Sequence, residues 1–494
     1  MSAALGGERR WPAVVFVASL LHTALFAYVY PHQRFDPDLM AYLVYFRNWW
    51  TGDTTLHGID YFTHPKALLV FGLGPLGEPT LALAVTALVS AGLSTLVYLI
   101  ARAQFGRTTA LLVSAALLLD PAKAILTLRS SADLYVAFFL FAAIYLVGRE
   151  RVLGAACCLF LSALVKPVTL PCAAVFLTLE RGGHRRWIAA ALPALAIPLI
   201  ALANYLLLGS VHGTDRFFEA FAQIRSGDAI GPEGVMHFAL WTQLVKHRFV
   251  ATAAFGFVGL VLWLGGDSRR LTSPLFLMPM LFLVGYYLLG FTSHFLPFFR
   301  FFWLLEVWFL MFVVYGAVET ARRVAAGHAW IERAVVAIVL VLLADNFVGR
   351  QVDHQRDFAR PFEQSLIFAD AAEQVLRERW SPEQQLMIPE GLLPQTLWDF
   401  PGERRAHHVQ TLERAALRGD RTQPDWILFV PRMQLNDASR SWVEQLIRDG
   451  AYEVRETNGE DALLARPGIG TAAEGPSDRI AACPSAAGDG GRVQ

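Results

Sequence analysis

Apolar runs with few or no charges return along this chain from residue 11 to residue 348, and nothing else in it limits the fold so strongly. A bilayer core offers no water to backbone N–H and C=O groups, so a segment that crosses it must satisfy them internally. A spanning helix takes about 20 apolar residues, fewer where neighbours shield it. Eleven runs qualify: 11–30, 80–101, 108–119, 133–148, 152–165, 168–179, 187–208, 249–265, 271–291, 299–318 and 333–348. The third, fifth and sixth are short and make sense as helices shielded by others or ending inside a cavity. With 55% of its 494 residues hydrophobic and 17% charged, the chain is expected to be an α-helical polytopic membrane protein.

Formal net charge is zero, which removes any overall bias toward nucleic acid. The run from Trp11 to Tyr30 follows Arg9 and Arg10, is too long for a signal-peptide core and lacks a small-residue cleavage site. It is expected to stay as the first helix. The four cysteines, Cys157, Cys158, Cys172 and Cys483, show neither disulfide nor metal-knuckle spacing and are expected as small apolar side chains.

Arginines set the orientation. The loops on the side of the N-terminus carry fourteen, at positions 9, 10, 102, 107, 149, 151, 181, 185, 186, 269, 270, 322, 323 and 333, against six acids. The opposite loops balance at eleven basic and eleven acidic residues. The first set is therefore expected to be cytoplasmic. Outer loops then cover 31–79 and 209–248, within a transmembrane domain over 1–348. Everything after residue 348 faces outward, away from the cytoplasm.

Residues 349–466 read as a small extracytoplasmic α/β domain. Arg360 to Arg379 has an amphipathic helical pattern, and Asp425 to Pro431 a buried-strand pattern. A helix near 438–449 and strands near 451–456 and 461–466 follow. From 467 to 494 the chain is Gly, Ala, Ser and Pro and is expected to be disordered.

The first outer loop opens with Asp36-Pro37-Asp38, followed by Leu39, Tyr42, Leu43, Phe46, Trp49 and Trp50 at helical spacing. That pattern suits a helix lying flat at the membrane interface. Helix capping accounts for Asp36 and partly for Asp38, with Pro37 at the first helical position. It does not account for the cations gathered at the same level, namely Lys66, Arg129, Lys166 and Arg300. Each alone suits snorkelling to the headgroups. Together they define a cationic pocket. Lys166 suits snorkelling least, because it stands between two short spans with Pro167 beyond it. Glu306 in the tenth span suits a cavity lining and a structural pair equally. His32, His57, His64 and Asp60 match no strong metal-ligand spacing.

Four segments carry a family resemblance. They are Asp36 with Asp38, Tyr61-Phe62-Thr63-His64-Pro65-Lys66-Ala67-Leu68-Leu69, Arg129-Ser130-Ser131-Ala132-Asp133-Leu134, and Leu161-Ser162-Ala163-Leu164-Val165-Lys166-Pro167. In order and orientation they resemble the GT-C superfamily of membrane glycosyltransferases, in the style of protein O-mannosyltransferases and the aminoarabinose transferases of lipid A. The likeness covers roughly the first 210 residues, and His294 to Arg300 more loosely. In the second segment Lys and Pro are rearranged relative to the family's Tyr-x-x-Lys-Pro-Pro-Leu.

The resemblance implies transfer of one sugar from a polyprenyl-phosphate donor to an acceptor hydroxyl on a glycan, lipid or protein, with inversion, at the extracytoplasmic face of the plasma membrane. It casts Asp36 or Asp38 as the base. Lys66, Lys166 and Arg300, with Arg129 and His294 in reserve, bind the departing phosphate. Such cations replace a metal, whereas some relatives use a divalent ion, and both routes stay open. A polytopic transporter or lipid flippase is the rival. Transporters place ionisable residues at the midplane, often in internal repeats, and no repeat relates the two halves here.

Overall fold

The structure, a computed structural model, describes residues 10–29, 37–51, 67–179, 183–208, 250–288, 299–325, 328–354, 360–381, 383–389, 409–412, 423–431 and 437–469, together with 392 and 396. The chain forms two compact units, Met1–Ile367 with Gly391–His407, and Phe368–Glu390 with His408–Gln494.

The first unit is helical. Its elements are α1 (Arg10–Val29), α2 (Pro37–Thr51), α3 (Ala67–Leu73), α4 (Pro79–Phe105), α5 (Arg107–Leu119), α6 (Pro121–Leu128), α7 (Ala132–Val147) and α8 (Val152–Val165). A 3-10 helix (Pro167–Thr178), α9 (His184–Ala191), α10 (Ala196–Leu208), α11 (Val250–Gly265), α12 (Pro274–Leu288), α13 (Phe299–Ala325) and α14 (Ala329–His354) follow. Helical backbone occupies each of the eleven expected intervals. By length and composition, four described helices are full spans: Arg10–Tyr28, Pro79–Phe105, His184–Leu202 and Trp303–Ala325.

The short third run acquires its length from a bend. Arg107–Leu119 and Pro121–Leu128 meet at 58° and together pass as a fifth span. Pro121 has no N–H to continue the ladder of α5, and Asp120 restarts the helix by accepting the Ala122 N–H at 3.0 Å. The sixth run solves the same shortage differently. Pro167 and Pro171 withhold α-helical donors, and the segment winds as a 12-residue 3-10 helix. At a rise of ~2 Å per residue it reaches about 24 Å.

Small residues let the helices approach. Gly259 of α11 and Gly316 of α13 meet backbone to backbone, so that a Cβ on either would enter the other helix's main chain. Gly74 lies against the Phe46 ring and has no room for a side chain. The α2 helix departs from the flat interfacial picture. Leu39 to Tyr45 are buried on every side, so its first half is enclosed by protein.

The second unit contains a five-stranded sheet: β1 (Leu386–Ile388), β2 (Val409–Thr411), β3 (Trp426–Phe429), β4 (Glu453–Asn458) and β5 (Asp461–Ala465), in the order β2-β1-β3-β5-β4. β1 pairs in parallel with β2 and β3, while β5 runs antiparallel to β3 and β4. The helix α16 (Asp437–Arg448) precedes β4, and its Val443 packs with Met387, Ile427, Phe429, Tyr452 and Leu464. The helix α15 is Arg360–Arg379, the amphipathic segment expected from sequence.

Candidate functional site

Arg129, Ser130, Ser131 and Asp133 form the corner between α6 and α7. The chain turns there through Ser130 in the left-handed region, φ 48°, and Ser131 N–H closes onto Leu126 O at 2.9 Å. Ser131 then caps α7, its Oγ accepting the Asp133 N–H at 3.4 Å. Asp133 stands in the first turn, where the helix dipole favours a carboxylate. Beneath the corner, Tyr135 Oη lies 2.8 Å from Thr86 Oγ1, and the Thr86 hydroxyl reaches Ser130 Oγ at 3.0 Å. The strained serine is thereby tied to α4.

Lys166 arrives from the other direction. It ends α8 in extended backbone (φ −145°, ψ 115°) before the 3-10 helix begins. Its Nζ donates to Asp133 Oδ1 at 2.5 Å, with 12% of the lysine and 8% of the aspartate side chain exposed. A lysine snorkelling to headgroups would be open to solvent. This one is enclosed and paired, and an ion pair so placed needs good geometry to offset desolvation.

A second polar seam lies deeper. Lys123 on α6 is fully buried and donates to Ser19 Oγ of α1 at 2.5 Å. Ser19 is 3.2 Å from Ser94 of α4, and Thr127 donates to Ser90 at 2.9 Å. At the bend, Asp120 Oδ2 accepts from Trp303 Nε1 of α13 at 2.8 Å. These bonds hold both ends of α6, and so hold the corner that carries Arg129 and Asp133.

Of the residues nominated from sequence, Lys166 and half-buried Arg129 are placed with their side chains. Asp38 lies in the first turn of α2 and Arg300 in the first turn of α13, with backbone alone described. Asp36, Lys66 and His294 lie outside the described residues, as do His32, His57, Asp60 and His64. Glu306 sits half-buried on α13. Among the described residues no three His, Cys, Asp or Glu side chains converge as a metal set.

Sequence reasoning does not nominate Asp133, Asp120 or Lys123. The Asp-Pro pair at 120–121 is a helix-start signal lying where a single run seemed to end. Nothing local announces that Asp133 meets a lysine 33 residues away.

No protein-family profile matches the chain, and no curated protein matches it. Solved structures do. ArnT from Cupriavidus metallidurans bound to undecaprenyl phosphate aligns at a TM-score of 0.52 and 15% identity, covering 94% of this chain and 98% of that one. The same protein in its apo state aligns at 0.51, again at 15% identity and with the same coverage. At that identity the likeness concerns architecture alone: this chain shares the fold of the ArnT structures over most of its length.

Proposed function

We propose that this chain is an integral membrane glycosyltransferase that moves one sugar from a polyprenyl-phosphate donor to an acceptor hydroxyl. One observation carries the reading: the fold follows, over 94% of its length, a structure bound to undecaprenyl phosphate. The ion pair of Lys166 with Asp133 supports it, since it holds a cation at a helix junction inside a polar corner. The reading takes all eleven helical intervals as spans, with the N-terminus cytoplasmic and the 349–466 domain outside, in the plasma membrane. That domain admits or excludes the acceptor.

In this mechanism Asp36 or Asp38 takes the proton of the acceptor hydroxyl as its oxygen bonds to the anomeric carbon. The bond from that carbon to the phosphate oxygen breaks from the opposite face, giving inversion. Polyprenyl phosphate leaves with the electron pair, and Lys66, Lys166 and Arg300, supported by Arg129 and His294, receive its charge. Asp133 acts as a positioning residue for Lys166.

Mass spectrometry of envelope glycans, lipids and glycoproteins from a deletion strain tests the reading. A single missing hexose or pentose is expected, restored by the native chain and not by Asp36→Asn or Asp38→Asn variants that still fold. An unchanged glycan profile together with failed export of a solute would favour the transporter or flippase instead.

A further inference from the structure

Three neighbouring segments, α7, α8 and the 3-10 helix Pro167–Thr178, each have one end at the Lys166–Asp133 pair. At their other ends lies a cavity of about 720 Å3, lined among others by Glu150, Arg151, Gly154, Thr178, Arg185 and Arg269. Along α7 it is roughly 21 Å from Asp133, at 1.5 Å per residue. The cavity is therefore separate from the proposed catalytic corner.

Its arginines come from three close pairs, two adjacent in sequence and one, Arg149 and Arg151, separated by Glu150, and each pair divides in the same way. Arg149 lies over the Tyr145 ring at 5.3 Å. Arg186 donates to Leu179 O at 3.4 Å and lies 5.6 Å from the Trp187 ring centroid. Arg270 donates to Trp263 O and sits over that ring at 5.5 Å. The other member of each pair, Arg151, Arg185 or Arg269, lines the cavity. Among the described residues no carboxylate is ion-paired with any of these three. A topological charge bias asks only for arginines on one side. It does not ask that one of every pair converge.

Backbone adds to the field. α8 begins at the cavity with Arg151 at its N-cap and no side-chain cap, so its positive end faces the space. Apolar surface flanks it: Leu153 is 44%, Trp187 60% and Leu271 50% exposed. An occupant therefore needs an anionic head and hydrocarbon beside it. We propose that the cavity holds the phosphodiester headgroup of an anionic phospholipid, its acyl chains lying against the exposed apolar side chains. Basic pockets between membrane helices recognise lipid headgroups in this way. Free phosphate shares the head chemistry and lacks the tails.

Delipidated full-length protein in neutral detergent is titrated with phosphatidylglycerol, phosphatidylcholine or inorganic phosphate while thermal unfolding is followed. Phosphatidylglycerol is expected to raise Tm, and the other two are not. Replacing Arg151, Arg185 and Arg269 together by Gln is expected to weaken the phosphatidylglycerol response roughly 100-fold, from about a factor of five per arginine. Arg322→Gln with Arg323→Gln, at the end of α13, leaves it unchanged. Gly154→Asp separates binding from folding. A Cβ there meets only Leu146 at 3.5 Å, and a carboxylate in the first turn favours the helix. Its lipid-free Tm should hold while the response to phosphatidylglycerol disappears. The proposal is overturned if phosphatidylcholine or inorganic phosphate gives an equal shift, or if both variants keep the response.

Discussion

Lys166 Nζ and Asp133 Oδ1, 2.5 Å apart, join the C-terminal end of α8 to the first turn of α7. The pair closes the corner where Ser130 adopts its left-handed backbone. Among the described residues, few charged side chains are so enclosed and so directly matched.

Removing one partner of that pair leaves an uncompensated, nearly buried charge. Asp133→Asn and Lys166→Met should each cost on the order of 3 kcal/mol. The double variant should recover much of the loss, visible as a coupling energy above about 1 kcal/mol in a thermal-unfolding cycle. Additive losses would show that the two groups do not interact.

The buried Lys123 side chain depends on Ser19. Ser19→Ala removes its hydroxyl acceptor and should cost at least about 1–3 kcal/mol, the range for leaving a buried polar group unmatched. Ser94→Ala removes a hydroxyl that already spends its proton on Ser90 O at 3.1 Å, and should cost less. Equal losses in detergent stability measurements would place the lysine's support elsewhere.

Among the described residues, Ser130 and Glu150 are the non-glycine residues in the left-handed region, and glycine should relieve the same backbone penalty at each. Glu150, φ 60°, is exposed in the α7–α8 turn, and Glu150→Gly should relieve roughly 1 kcal/mol of Cβ penalty, offset by the loss of the glutamate's own side-chain interaction. Ser130→Gly gains the same backbone relief but loses the bond from Thr86, and should be neutral or destabilising. Both are read as Tm differences from the parent.

The Gly259–Gly316 crossing should tolerate no side chain. Gly259→Leu or Gly316→Leu forces α11 and α13 apart, and overpacking of this kind costs about 1–3 kcal/mol or more. Gly265→Ala, with nothing within 4 Å of the added Cβ, should fold normally. Size-exclusion profiles and Tm in one detergent separate the cases.

In the second unit, Tyr452 donates to Pro424 O at 2.6 Å, and burial pushes its phenol above the ordinary tyrosine range. The folded state thus holds this proton more tightly than the unfolded one. Its contribution is complete below about pH 10 and falls above it, by up to about 1.4 kcal/mol per pH unit. Tyr452→Phe should lose about 1 kcal/mol at neutral pH and flatten the alkaline decline. A decline unchanged in the variant would assign it to other groups.

Much of the architecture is legible locally. The apolar runs place helices at each expected interval, and the C-terminal patterns match α15 at 360–379, β3 within 425–431 and α16 at 437–448. The three-residue strands β1 and β2 escape, because such segments have no period to display and become strands only by pairing, β1 against β3 and β2 against β1.

Hydropathy is a property of each segment, since a bilayer imposes internal hydrogen bonding whatever the neighbours are, and so the helical membrane character of this protein was decided by sequence alone. Which polar groups meet depends on how helices bend, rotate and cross. The 58° break before α6, the burial of Lys123, and the meeting of Lys166 with Asp133 are products of packing. They appear only when α4, α6, α7 and α8 stand side by side, because their energy comes from partners distant in sequence and close in space.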